Sequence, residues 1–188
     1  KLFLIPFLLI YYLVSCSCFS IPFNKILFFA LFTSWVGDVM LVRTKFYFLI
    51  IGGISFLIAH LCFIPIYYAN TQWELVSCPV LVIAAIIYAG CAFAVFYVLN
   101  KALPQPFFYG VLIYLLVNGT MNIFALAFAL SNRNICGVLV YLGSVFFFFS
   151  DIVLFLVRFH QKNTIFKGHF VIMLTYILAE FLITQGIF

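Results

Sequence analysis

Two aspartates stand inside long apolar runs of this sequence. Asp38 lies within TSWVGDVMLV, and Asp151 lies within FFFFSDIVLFLV. His60 and Glu180 are further ionisable residues in apolar runs, and no Lys or Arg accompanies them there. A charged side chain at the middle of a membrane helix costs about 2.5–3.5 kcal/mol on insertion scales, so such residues usually face the bundle interior and mark a site or pathway.

The chemistry open to such residues is acid–base chemistry. A carboxyl group in an apolar setting without a cation partner favours its protonated form, and a protonated carboxyl can donate a proton. Two neighbouring carboxyls in different surroundings can divide the roles, one acting as the acid while the other remains an anion. The sequence therefore predicts general-acid chemistry with stabilisation of a developing cation. Interhelical hydrogen bonding alone is the alternative explanation.

The composition places these residues in a membrane protein. Of the 188 residues, 68% are hydrophobic and only 7% are charged, whereas a soluble domain carries roughly 25% charged residues. Seven apolar segments approach or exceed the roughly 20 residues that a helix needs to cross the hydrocarbon. We predict an all-α, polytopic transmembrane helical bundle that forms a single integral membrane domain over residues 1–188. Its expected helices cover residues 2–19, 26–42, 46–69, 75–99, 107–130, 135–157 and 169–188.

The nine Lys and Arg residues lie between or at the ends of these segments. Orientation of the chain in the membrane explains this placement better than nucleic-acid binding does. One side carries Lys1, Arg43, Lys45, Lys101, Arg158, Lys162 and Lys167, and the other carries Lys25 and Arg133. The positive-inside rule makes the first side cytoplasmic. At about 1.5 Å per residue, both aspartates then lie roughly 8–10 Å inside the same cytoplasmic edge. We therefore expect them to meet at one depth.

Other polar residues of the same segments are expected to bind substrate or tune the acids. Asn118 and Asn122 are four residues apart, so they share one helix face. Gly37 and Gly143 are small residues near the acids, which let helices approach closely. The candidate set comprises Asp38 and Asp151 as catalytic residues, with His60, Asn118, Asn122, Ser150, Tyr176 and Glu180 as substrate-binding or site-tuning residues.

We expect neither a metal nor another cofactor. A zinc site usually takes three ligands from His, Cys, Asp and Glu. His60 and the two aspartates could in principle supply such a set, but no HxxxH or HExxH spacing occurs. The six cysteines show no CxxC spacing, and free Cys behaves as a small hydrophobe.

Four stretches, taken in order, resemble the YhhN-like membrane proteins, which are the lysoplasmalogenase family. They are FTSWVGDVML, GGISFLIAHLCFIPIYY, LGSVFFFFSDIVLFLVRF and VIMLTYILAEFLI. The matching positions are Gly37, Asp38, Gly52, Phe56, Ala59, His60, Gly143, Ser150, Asp151, Thr175, Tyr176 and Ala179, with Tyr114 and Met121 as weaker matches. There are two departures. Glu180 stands where the family has glutamine, and the chain opens on Lys1, so we expect a fragment that shows seven of the eight family helices.

The resemblance implies an enzyme that hydrolyses the vinyl ether bond of lysoplasmalogens. The products would be a fatty aldehyde and a glycerophospho-ethanolamine or -choline. By analogy with glycosidases, one of Asp38 and Asp151 would be the acid and the other the stabiliser or base, in an order that the sequence leaves open. The expected partners are a lysophospholipid substrate and membrane lipids. The membrane would be the endoplasmic reticulum or another endomembrane in a eukaryote, and the inner membrane in a bacterium.

Two other functions remain open at this point. A proton-coupled transporter would use the same acids as a relay, although such proteins often contain inverted repeats and none is evident here. A non-catalytic lysolipid-binding protein is the other, because Glu180 departs from the family pattern. The sequence leaves the oligomeric state and the headgroup preference open.

Overall fold

The part of this chain that the structure describes folds into seven α-helices. The computed structural model describes residues 3–20, 22–43, 45–99, 102, 105–159 and 168–187. The helices are α1 (Leu4–Phe19), α2 (Lys25–Leu41), α3 (Phe46–Ala69), α4 (Cys78–Leu99), α5 (Gln105–Asn132), α6 (Ile135–Phe159) and α7 (Gly168–Ile187). The described residues contain no strand. The prediction of an all-α bundle with seven helices is therefore confirmed.

The starts of α2 and α4 follow from the local sequence. The Asn24 carboxamide oxygen accepts hydrogen bonds from the backbone N–H groups of Ile26 and Leu27 at 3.0 and 3.2 Å, which caps α2. Helix α4 was predicted from residue 75 but begins at Cys78, because residues 73–75 form a separate single turn of 3₁₀ helix. Pro79 is the second residue of α4, and proline is tolerated in the first helical turn because that N–H has no partner there.

The protein is an integral membrane protein. Helices α3, α4, α5, α6 and α7 are long and apolar enough to cross a membrane. Helices α1 and α2 have 16 and 17 residues, below the roughly 20 that a full crossing needs. Large apolar side chains cover the outward faces, as Ile86 at 67% exposure illustrates. Such a surface suits contact with lipid rather than water.

The helices pack as two close pairs joined by α5. Helix α2 packs along α3, α6 packs along α7, and α5 lies against both α3 and α6. Helix α4 covers α5, while α1 contacts α2 and α7. Gly37 lies against the ring of Phe56, and Gly143 lies against the α7 backbone at Ala179. The prediction that Gly37 and Gly143 permit close helix approach is therefore confirmed.

The ends of the helices that carry the two aspartates adjoin at one end of the bundle. Val42, which follows α2, and Arg158, in the last turn of α6, line one cavity there. The two helices therefore reach the same end, as the basic residues of the sequence indicate. Lys1, Lys101, Lys162 and Lys167, which also support that orientation, lie outside the described residues.

Gly143 provides a test of the α6–α7 contact. A Cβ at this position would lie 2.8 Å from the Ala179 carbonyl oxygen and 2.9 Å from the Ile183 nitrogen. Because backbone cannot move aside as a side chain can, we expect Gly143→Ala to lower the free energy of unfolding by about 1–3 kcal/mol. Thermal unfolding in detergent measures the change. Gly90→Ala is the control, since its added Cβ would meet no atom within 4 Å, and an equal loss in both variants would contradict the packing argument.

Candidate functional site

Buried polar side chains from five helices meet at the centre of the bundle. This polar cluster consists of Asp38 on α2, His60 on α3, Tyr114 and Asn118 on α5, Asp151 on α6, and Tyr176 and Glu180 on α7. None of these residues is more than 6% exposed. Each described Lys and Arg, by contrast, is exposed. The centre of the bundle therefore concentrates carboxyl groups away from the cations that the structure describes.

Asp151 is held by donors from a neighbouring helix. Its Oδ2 accepts hydrogen bonds from the Tyr114 hydroxyl at 2.9 Å and from the Asn118 Nδ2 at 2.7 Å. Tyr114 and Asn118 are four residues apart on α5, so their side chains point to the same face. The His60 Nε2 lies 3.5 Å from the same oxygen. The Asp151 carboxyl is therefore fixed in orientation by two short hydrogen bonds and one longer contact.

A second row of amide and hydroxyl groups fixes Asn118 in turn. The Asn122 Nδ2 donates to the Asn118 Oδ1 and to the Asn118 carbonyl, each at 3.0 Å. The Tyr88 hydroxyl of α4 donates to the Asn122 Oδ1 at 3.2 Å. Because the Asn118 oxygen is occupied by this donor, its amide nitrogen is directed at Asp151. Asn122 thus acts on Asp151 through Asn118 rather than by touching it.

Tyr176 connects the three carboxyl groups. Its hydroxyl lies beside the Asp38 carboxyl and within electrostatic range of Glu180 and Asp151. Glu180 in turn lies within electrostatic range of both aspartates. The expectation that acids from distant parts of the sequence share one depth therefore agrees with the geometry. The three carboxyl groups and the Tyr176 hydroxyl therefore share one buried region.

Aromatic rings enclose the cluster. The His60 ring makes edge contacts with Phe147 and Tyr114, with centroids 4.6 and 5.4 Å apart. Phe56 meets the edge of Tyr176 at 5.6 Å. These rings exclude bulk water from the carboxyl groups and restrict how far His60 can rotate.

Comparison with known protein families shows which family this chain belongs to. The profile of the YhhN family matches residues 1–187. The chain belongs to the YhhN family. No curated protein and no solved structure matches it.

Glu180 is the unusual member of the site in this YhhN-family chain, because the resemblance leads one to expect glutamine there. Both of its carboxylate oxygens are buried and complete no hydrogen bond with the described residues. The Ser34 hydroxyl lies beside it, although the geometry of the pair does not complete a hydrogen bond. Glu180 therefore differs from Asp151, whose Oδ2 accepts two short hydrogen bonds.

The Ser150 hydroxyl joins α6 to α7. Ser150 adjoins Asp151 along the chain and was predicted to bind substrate or tune the site. Its Oγ instead donates to the Ile172 carbonyl of α7 at 3.1 Å. A hydroxyl has one proton to donate, so Ser150 links two helices of the YhhN bundle and does not donate to Asp151.

Tyr114 is the site residue that sequence reasoning underrated, because it counted only as a weak family match. The available signal was its spacing: Tyr114, Asn118 and Asn122 recur every four residues along one face of α5.

Among the described residues, no group of three His, Cys, Asp or Glu side chains is placed to hold a metal ion.

The hydrogen bond from Asn118 is testable through stability. Asn118→Leu keeps a similar size but removes a donor from a buried carboxyl, so we expect the free energy of unfolding to fall by about 1–3 kcal/mol. Thermal unfolding in detergent measures it. Thr120→Val on the same helix is the control, because Thr120 is exposed and donates only to its own helix at Leu116. Equal unfolding temperatures for the two variants would contradict a structural role for the Asn118 hydrogen bond.

Proposed function

We propose that this chain is an intramembrane hydrolase that cleaves the vinyl ether bond of lysoplasmalogens. The products are a fatty aldehyde and a glycerophospho-ethanolamine or -choline. The observation that carries the proposal is the buried meeting of Asp38 and Asp151 around Tyr176, with the described cations confined to exposed positions. Membership of the YhhN family supports the same chemistry, since that family is associated with lysoplasmalogenase activity.

Cleavage of a vinyl ether begins with protonation of carbon. A carboxyl group donates its proton to the alkenyl carbon that is not bonded to oxygen, and the electrons of the double bond form the new C–H bond. The ether oxygen then shares its lone pair with the neighbouring carbon, which gives an oxocarbenium ion. Water adds to this carbon and returns a proton to a carboxylate. The resulting hemiacetal gives its hydroxyl proton to the carboxylate that donated first, while the other, now protonated carboxyl protonates the departing glycerol oxygen. The C–O bond breaks, the aldehyde and the alcohol are released, and both carboxyls return to their starting forms.

The surroundings of the two aspartates suggest how the roles divide. The Asp151 Oδ2 accepts two short hydrogen bonds, and an ionised carboxylate is the form that accepts from several donors. We therefore assign Asp151 as the carboxylate that stabilises the oxocarbenium ion and accepts the proton from water. We assign Asp38, whose carboxyl lies beside the Tyr176 hydroxyl, as the proton donor. A pair of this kind serves glycosidases, whose transition states carry a similar positive charge.

The remaining polar residues position the reacting groups. Tyr176, beside Asp38 and within electrostatic range of Asp151, orients the alkenyl group against the donor. His60, 3.5 Å from Asp151, orients the water that adds to the oxocarbenium ion. The rings of Phe56 and Phe147 keep other water away, which strengthens the electrostatic interactions within the site.

The central prediction concerns the two acids. Asp38→Asn and Asp151→Asn each keep the size of the side chain but remove the ability to donate or accept the transferred proton. General acid–base groups typically contribute about 10²–10⁴-fold to a rate, so we expect losses of that order in kcat. Aldehyde release from lysoplasmalogen by the purified protein in detergent measures the effect.

Two controls accompany this measurement. The saturated ether analogue of the lipid lacks the double bond and should release no aldehyde from the native protein. Thr120→Val on the lipid-facing side of α5 should retain native activity. If the native protein binds lysoplasmalogen without cleaving it, the chain is a lysolipid-binding protein and the hydrolase proposal is wrong.

Glu180 allows the acid pair to be identified separately. Glu180→Gln restores the residue expected from the family and keeps the size of the side chain. Because the proposed pair is Asp38 and Asp151, we expect kcat to stay within about tenfold of the native value, well short of the 10²-fold or larger loss that follows removal of a general acid. Steady-state kinetics on lysoplasmalogen provide the measurement. A loss as large as that of Asp38→Asn would transfer the donor role to Glu180.

A further inference from the structure

An apolar groove opens between α3 and α5 toward the lipid-facing side of the bundle. Its volume is about 190 Å³, and its lining includes Gly53, Ile54, Phe56, Gly110, Ile113 and Tyr114. At the outer rim, Ile54 and Ile113 are 51% and 56% exposed. A hydrocarbon chain can therefore enter this α3–α5 groove sideways from the bilayer.

The inner wall of the groove is formed by residues that touch the polar cluster. The Tyr114 ring lines the groove, and its hydroxyl donates to Asp151. The Phe56 ring lines it as well, and it packs against Gly37, the residue before Asp38. Tyr114 therefore links the groove directly to Asp151, and Phe56 links it to the turn of α2 that carries Asp38, so a chain in the groove lies next to the proposed reaction centre.

A second cavity of about 260 Å³ adjoins the groove at the end of the bundle where α6 ends and α7 begins. Its lining includes Arg158 and His169, both exposed. The two cavities share Leu41, Leu49 and Leu154 as lining residues. Leu41 and Leu154 follow Asp38 and Asp151 by three residues, so the junction lies about one helical turn from both acids. The cavity lined by Arg158 and the apolar α3–α5 groove thus meet beside the polar cluster.

Two glycines, Gly53 and Gly110, leave space in the α3–α5 groove. A Cβ added to Gly53 or to Gly110 would meet no atom within 4 Å, so neither glycine is needed for helix packing. This distinguishes them from Gly143, where an added Cβ would lie 2.8 Å from the facing backbone. Space at Gly53 and Gly110 is thus available to an occupant from the membrane.

We propose that this path binds a single-chain phospholipid, with its hydrocarbon chain in the α3–α5 groove and its phosphate at Arg158 and His169. An arginine guanidinium suits the phosphate because it offers several donors in a fixed planar arrangement. The proposal rests on the proposed function only for the identity of the bond that reacts.

The chain site is tested by filling the groove. Gly53→Leu and Gly110→Leu each place a branched side chain in the groove, where it displaces methylene groups of the ligand. For a non-cleavable, saturated ether lysophospholipid, we expect the Kd to rise about tenfold in each variant. Gly90→Leu on α4 is the matched control, since its side chain would also enter open space but not the groove. Size-exclusion chromatography identifies the variants that remain folded.

The phosphate site is tested by removing its cation. We expect Arg158→Gln to raise the Kd of the same lysophospholipid by about tenfold, through loss of a charge-assisted hydrogen bond. Lys25→Gln, at the start of α2 and remote from both cavities, should leave the Kd unchanged. A long-chain alcohol without a phosphate supplies the second arm: its binding should weaken in Gly53→Leu and remain unchanged in Arg158→Gln.

Each outcome decides one part of the proposal. Equal affinities of Gly53→Leu, Gly110→Leu and Gly90→Leu for the lysophospholipid would overturn the chain site. Equal affinities of Arg158→Gln and Lys25→Gln would overturn the phosphate site. Because the ligand is not cleaved, these results do not depend on turnover. A protein that binds it as expected yet leaves lysoplasmalogen intact would retain the binding site and lose the hydrolase function.

Discussion

A buried carboxyl group in a membrane protein must obtain its hydrogen-bond donors from the protein, because hydrocarbon offers none. The contact of Asp151 with Tyr114 and Asn118 is where this constraint acts most clearly. It requires α5 to present one particular face to α6. The row of Asn122 and Tyr88 then extends the same requirement to α4. The rotation of these helices about their axes therefore depends on polar contacts, since apolar residues surround each helix and give little preference for one face.

Glycines allow the helices to pack closely once the polar contacts have fixed which faces meet. Gly37 allows Phe56 to lie against α2, and Gly143 allows α6 and α7 to approach until side chains of one reach the backbone of the other. In a membrane, such close packing replaces the hydrophobic effect as the source of helix association. The same residue type has the opposite use at Gly53 and Gly110, where missing side chains leave space at the surface. Packing and access to the site thus depend on where small residues stand along α2, α3, α5 and α6.

The sequence predicted the helices well because each is a long apolar run that ends in polar residues. The start of α4 was wrong by three residues, since Leu75 and Val76, which precede the helix, are apolar like the helix itself. For the site, the ionisable residues were apparent from their cost in an apolar segment. The sequence placed Ser150 beside Asp151, but it could not show that the Ser150 hydroxyl donates to the Ile172 carbonyl, because consecutive residues of a helix point to different faces. Tyr114 was underrated because its family match is weak and tyrosine, with 11 occurrences, is common in this chain.

What the amino-acid sequence determined alone is the membrane setting and the number of helices in the described residues. These properties depend on the composition and length of single segments, which act without reference to the rest of the chain. The tertiary structure alone decided which donors meet Asp151, which hydroxyl lies beside Asp38, and where the bundle leaves a groove. Those outcomes depend on the rotation and spacing of helices that are distant along the chain. A single segment carries no information about them, because its apolar faces pack almost equally well in several directions.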